Sequence, residues 1–208
     1  MTTLTNFQIY DLLNRPRPLY LVKIDLSDAS LWYVNLSDCD LSLAVLSRAD
    51  LVSANLFRAS LRKADLSLAN LYEANLSEAN LVEANMKRSN LTRTNLIKAD
   101  LSQAQLVEAT MNRALLSKAN LTHTNMSGAY LVRADFSKAE LPHANFNSAD
   151  MAMANLFQAN LAGADLRNAI LSKADLSEAI LTGANLKGAE MDGADLTHTV
   201  MPDGSLHD

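Results

Sequence analysis

Residues 64–83 read ADLSLANLYEANLSEANLVE. Every fifth position is leucine: Leu66, Leu71, Leu76 and Leu81. Two residues ahead of each stands alanine, and between the two lies Asp65, Asn70, Asn75 or Asn80. Outward from this window the register holds from Leu21 to Leu206 without a slip. It collects 38 large apolar residues: 30 Leu, six Met (Met86, Met111, Met126, Met151, Met191, Met201) and two Phe (Phe136, Phe146). The small slot is Ala at 29 of 37 places between residues 24 and 204. A period this long decides the fold before any local propensity does.

A five-residue step fits neither regular element. On an α-helix it advances about 500°, so successive leucines would land roughly 140° apart and spray around the axis. On a straight strand, side chains alternate between faces, so an odd spacing would send consecutive leucines to opposite sides. The remaining solution is a chain that turns a corner every five residues. The small and large residues, two apart, then point inward together, and the other three positions point out. That is a solenoid with a dry core of Leu and Ala. The periodicity alone allows three sides or four.

The Ala-(Asp/Asn)-Leu-x-x unit, as in Ala74-Asn75-Leu76-Ser77-Glu78, resembles the pentapeptide repeat family. The resemblance implies an all-β fold, a right-handed quadrilateral parallel β-helix with four units in each coil. On that expectation the chain makes about nine coils, and at roughly 4.8 Å per coil the rod is about 45 Å long. Residues 1–20 form a short, part-helical N-terminal cap, 21–202 the β-helix, and 203–208 a C-terminal turn and tail. The ending, Met201-Pro202-Asp203-Gly204-Ser205-Leu206-His207-Asp208, resembles that of many cyanobacterial members. There Pro-Asp-Gly reads as a turn, with Met201 and Leu206 sealing the last coil.

Composition agrees with one elongated domain. No run of 18 apolar residues exists to span a membrane. The N-terminus lacks the charged, apolar and small-residue order of a signal peptide. One cysteine excludes an internal disulfide framework, and Cys39 falls in a small inward slot as buried filler. A cytoplasmic setting follows. In the first 20 residues Leu4, Phe7, Ile9, Leu12 and Leu13 crowd into a helix with Thr5 or Asn6 as N-cap, ended by Pro16 and Pro18. A solenoid end is an open ring of backbone and apolar groups that invites end-to-end self-association; this helix covers the first coil or docks a partner.

Three outer surfaces stand out. Trp32, Val52 and Tyr72 share a column on a 20-residue turn, with Tyr33 and Phe57 close by, an apolar patch fit for contact or for cover by the cap. In the middle, Arg93, Arg113 and Arg133 share one column, and Lys98, Lys118 and Lys138 the equivalent column of the next face. Like charges stacked about 5 Å apart repel, so the arrangement serves an acidic partner or is merely a solvated face. Glu73 and Glu78 neutralise its N-terminal edge. Residues 135–208 hold 11 acids against four bases, while residues 1–134 hold 12 against 14, so the rod is charge-polarised.

The Asp and Asn columns, such as Asn35, Asn55, Asn75 and Asn95, read as hydrogen-bonded ladders. Val45, Leu115, Tyr130, Ile170, Ile180 and Val200 interrupt them. Ser89, Thr94 and Thr124 place a hydroxyl inward, to be met by a nearby backbone group. Catalysis finds no footing: there is no phosphate loop, nucleophile elbow or Cys/His metal spacing. His123 and His143 stack on adjacent coils but bring no carboxylate. No cofactor or metal is expected, and no enzyme activity. Two readings remain: a rigid, non-enzymatic scaffold or regulator that binds a protein partner through exposed faces, and a DNA-mimicking modulator of a type II topoisomerase such as gyrase. The second is what the resemblance implies for the family's best understood members, and it requires an acidic rod. The basic middle argues against it, and a pI near 5.3 argues against direct nucleic-acid binding.

Overall fold

The computed structural model describes residues 6–16 and 18–208. Each five-residue unit turns one corner, and each residue of the Asp/Asn column pairs in parallel with the residue 20 further on, as in Asn35↔Asn55↔Asn75↔Asn95. Four units therefore close one turn, which settles three sides against four. The chain is a right-handed quadrilateral β-helix. Pairing is continuous from Tyr20↔Asp40 to Ile180↔Val200.

One unit explains the sequence rule. In Asn75-Leu76-Ser77-Glu78-Ala79, the Leu76 N–H donates to the Asn95 carbonyl at 2.7 Å and the Glu78 N–H to Ile97 at 3.0 Å. The Asn75 N–H reaches back to Ala54 at 2.9 Å, and the Ala79 N–H closes the turn on Leu76 at 3.1 Å. Four of five backbone donors are thus engaged by backbone. The fifth, on Ser77, donates to the Asn75 side-chain oxygen at 3.2 Å. Asp or Asn before each Leu is selected because a short side-chain carbonyl reaches the N–H two residues on. The axial ladder also exists, for example Asn75 Nδ2 to Asn55 Oδ1 at 3.4 Å.

Where the ladder is interrupted, other groups compensate. Tyr130 offers no such oxygen, and the Val132 N–H donates instead to Asn112 Oδ1 of the preceding coil at 2.9 Å. Pro142 and Pro202 occupy the fifth-donor position, following Glu140 and Val200. Proline has no N–H there to satisfy, and its fixed φ suits the first central residue of this turn. The second central residue is left-handed: non-glycine residues hold φ between 53° and 61° from Ser53 to Leu43 and Gln103. This positive φ gives the corner the sense of a type II turn.

The inside is filled. From Leu36 to Leu181 the large inward side chains are almost wholly inaccessible, and Phe136 meets Phe146 edge-on at 6.0 Å. The inward hydroxyls are met by main-chain carbonyls: Ser89 donates to Met86, Thr94 to Leu71 and Thr124 to Leu101. Thr199 does the same with Leu176. Cys39 is buried, accepts the Leu19 N–H at 3.4 Å and lies 3.5 Å from the Ser37 carbonyl.

The two ends differ. Helix α1 (Asn6–Leu13) buries Ile9 in the core and half-buries Leu12 and Leu13 against it. Leu4, Thr5 and the side chains of Asn6 and Phe7 lie outside the described residues. At the other end Leu186, Met191, Leu196 and Met201 are only partly covered. Leu206 does not seal this coil, contrary to the sequence expectation. The Pro202-Asp203-Gly204 turn reverses the chain, Val200 pairs antiparallel with Leu206, and Leu206 is left 59% exposed. No described helix is long and apolar enough to cross a membrane.

Candidate functional site

Because the interior is packed with side chains, recognition falls to the outside. A shallow surface groove of about 340 Å³ lies between Ser67, Leu68, Lys87, Arg88, Val107 and Glu108. Its charged wall is already occupied by an ion pair, Arg88 to Glu108 at 2.7 Å. His123 and His143 stack at 5.0 Å with rings 11° from parallel. Parallel rings point their in-plane lone pairs side by side, away from a common metal position. Among the described residues, no group of three or more His, Cys, Asp or Glu is placed to hold a metal.

The six basic residues stand where the period puts them, at left-handed corners on either edge of one side of the coil. All six are exposed. Arg93 is paired: it reaches Glu73 Oε1 and the Tyr72 hydroxyl, both at 3.1 Å. These two bonds to Glu73, from Arg93 first and Tyr72 second, hold its carboxyl below the ordinary 4.5. Beyond it the column changes character. Arg48, Arg58, Arg62, Arg88 and Arg167 each sit against a carboxylate. Among the described residues of the repeats, Arg113 and Arg133 are the arginines with no carboxylate partner, and they are neighbours. Arg133 Nε instead points at the Met153 sulfur at 3.4 Å. Lys98 and Lys118 form no ion pair among the described residues, and Lys138 lies 6.0 Å over the Phe157 ring.

The side between these columns is a floor of mixed chemistry. Its outward residues are Asn95 and Ile97, then Leu115 and Ser117, then Asp135 and Ser137. Leu115 stands where an Asp or Asn would normally cap the turn, and it is 41% exposed. Ser137 and Ser117 hydroxyls bond at 3.2 Å along the axis. Asp135 is the one acid within the frame; its oxygen is spent on the Ser137 N–H at 3.0 Å.

The aromatic patch is narrower than the column suggested. Trp32 and Tyr33 are largely exposed and meet edge-on at 5.7 Å. Helix α1 leaves both uncovered. Tyr72 and Phe57 are half-buried. Phe57 belongs to the next side, where Arg58 lies 5.6 Å over its ring. Sequence reasoning missed the pairing along columns. Arg48 with Asp28, Arg58 with Asp38 and Arg88 with Glu108 are each 20 residues apart. A search for opposite charges at that separation would have found them, and would have singled out Arg113 and Arg133 as the exceptions.

A family model described as pentapeptide repeats matches in overlapping copies covering residues 24–62, 49–88, 74–113, 114–151, 124–162 and 159–197. Among solved structures, HetL of the cyanobacterium Nostoc sp. strain PCC 7120, involved in regulation of heterocyst differentiation, is 37% identical with a TM-score of 0.55. The match covers 91% of this chain and 92% of HetL. Rfr23 of the cyanobacterium Cyanothece 51142 is 34% identical over 50% of this chain and 59% of its own, with a TM-score of 0.20. QnrB1, a plasmid-mediated fluoroquinolone resistance protein, is 17% identical over 72% and 85% of the two chains, with a TM-score of 0.44. No curated protein sequence matches the chain.

Proposed function

The chain belongs to the pentapeptide repeat family, and we propose that it acts without catalysis, as a rigid scaffold or regulator that holds a protein partner against an outer side of the β-helix. The observation that carries this reading is the pair of adjacent arginines left without carboxylates, Arg113 and Arg133, facing Lys118 and Lys138 across one side of the coil. Elsewhere along the rod arginines are paired. Clustering unpaired cations opposes folding, so a partner of opposite charge supplies the reason for them. HetL's role in regulation is consistent with a protein that works by binding.

Residues 1–20 serve as the N-terminal cap in this reading, and the tail after residue 202 as a terminal clasp. The Trp32 and Tyr33 pair offers a second contact. A single cysteine in a chain without an internal disulfide suits the cytoplasm. DNA mimicry is disfavoured because the basic columns interrupt what would have to be an acidic surface. The test is affinity capture from native cell extract, with the wild type beside a variant carrying Arg93, Lys98, Arg113, Lys118, Arg133 and Lys138 changed to Gln. A partner held by the wild type and lost by the variant supports the reading. The same proteins captured by both would remove the basic face from it.

A further inference from the structure

We infer that the partner element seated on this side is an α-helix with acidic flanks, lying along the rod axis. The inference rests on the basic side being the working surface and adds the form of what binds there. The cations repeat once per coil, at about 4.8 Å. From Arg93 to Arg133, and from Lys98 to Lys138, is two coil steps, about 9.6 Å. An α-helix brings residues back to one face about every 5.4 Å, so two turns span about 10.8 Å. An extended strand returns to one face every second residue, and two such steps span roughly 13 Å. A helix therefore matches the cation spacing to about 1 Å over three coils, and a strand misses by more than 3 Å. Carboxylates three or four residues apart on a helix are neighbours at about 5–6 Å, the spacing the columns ask for.

The floor fits the same occupant. The cations line two edges, not the middle, so the partner needs two acidic rows with a different seam between them. Ile97 and the exposed Leu115 lie between the rows. An apolar seam on the helix covers them, and the Ser117 and Ser137 hydroxyls continue the floor beyond. Asp135, inside the frame, disfavours a carboxylate at the centre and favours the two-row arrangement. Helix and coil spacings differ by about 0.6 Å per step, so register degrades with length. The match is best over a short run, which is where the unpaired cations are confined.

The test uses the full chain and two synthetic peptides of equal composition, about 20 residues long. One is stapled into a helix with a leucine seam between two glutamate rows; the other carries prolines and cannot be helical. Fluorescence anisotropy at low salt should show the stapled helix binding at least tenfold more tightly. Changing Arg113, Lys118, Arg133 and Lys138 to Gln should weaken it tenfold or more, as should Leu115→Asp, with circular dichroism and the melting temperature confirming that both variants are folded. If the proline peptide binds as well as the helix, and the Gln variant still loses both, the helical inference fails while the basic-face reading stands. If helix binding ignores the Gln changes, both fail. If a short DNA duplex displaces the helix at equal concentration, the surface selects charge alone, and the inference is overturned.

Discussion

At the residue scale, the repeat is a rule about one backbone donor. Four N–H groups per unit are engaged by backbone, and the fifth needs Asp or Asn two residues earlier, or no hydrogen at all. Proline should therefore be welcome where the capping residue is missing. Ser47 follows Val45 by two residues and its N–H has no partner among the described residues. Ser47→Pro should raise stability by about 0.5–1 kcal/mol in chemical denaturation, through the entropy of the unfolded chain. Ser77→Pro should gain nothing, because it removes the two bonds that Ser77 donates to Asn75. Corners obey a second constraint. Gly183 has φ 70° and open space around an added Cβ, so Gly183→Ala isolates the left-handed penalty and should cost roughly 1 kcal/mol. Aspartate caps add a pH dependence that asparagine caps lack. Hydroxyl and backbone donors from Thr197 and Ser205 hold Asp195 and Asp203 below the ordinary 3.8. A depressed folded pKa means stability is fully present above the unfolded value and is lost as pH falls through the folded one, so the loss begins near roughly pH 4. Asp195→Asn should keep the melting temperature near pH 7 and lessen its fall between pH 5 and 3.

At the element scale, each coil is held by the coils on either side, so the cost of a core change depends on its position along the rod. Leu116 is fully enclosed, whereas Leu196 in the last coil has core on one side only. Leu116→Ala should cost about 2–5 kcal/mol and Leu196→Ala clearly less, read from denaturant midpoints. Helix α1 touches the core through Ile9, so Ile9→Asp should speed amide exchange in residues 21–40 and leave residues 100–120 unchanged. The inward Leu and Ala positions were legible because a strict five-residue period admits few geometries. The number of sides was not, since three or four corners satisfy the same inward pattern; only pairing at 20 residues decides it. The Asx bond escaped notice because the column of amides already had an adequate role along the axis. Leu206 kept the period yet left the core. Sequence register cannot report that Pro202-Asp203-Gly204 folds the chain back on Val200.

At the scale of the whole molecule, a filled rod has no interior to offer, so function rests on how charge is distributed over its sides. Most cations are matched by an acid one coil away, and the side bounded by Arg113, Lys118, Arg133 and Lys138 is not. The sequence revealed these columns, because 20-residue spacing follows once four units make a coil. It could not reveal which cations remain unpaired, which depends on side chains reaching along the axis. Photo-cross-linking in living cells tests this account most directly. A cross-linking residue replaces Ser117, on the floor between the basic columns, or Ser127, ten residues on and therefore on the opposite side of the coil. The account predicts a discrete partner adduct from position 117 that disappears when Arg113, Lys118, Arg133 and Lys138 are changed to Gln, and none from position 127. An adduct from 127 with none from 117 would contradict it.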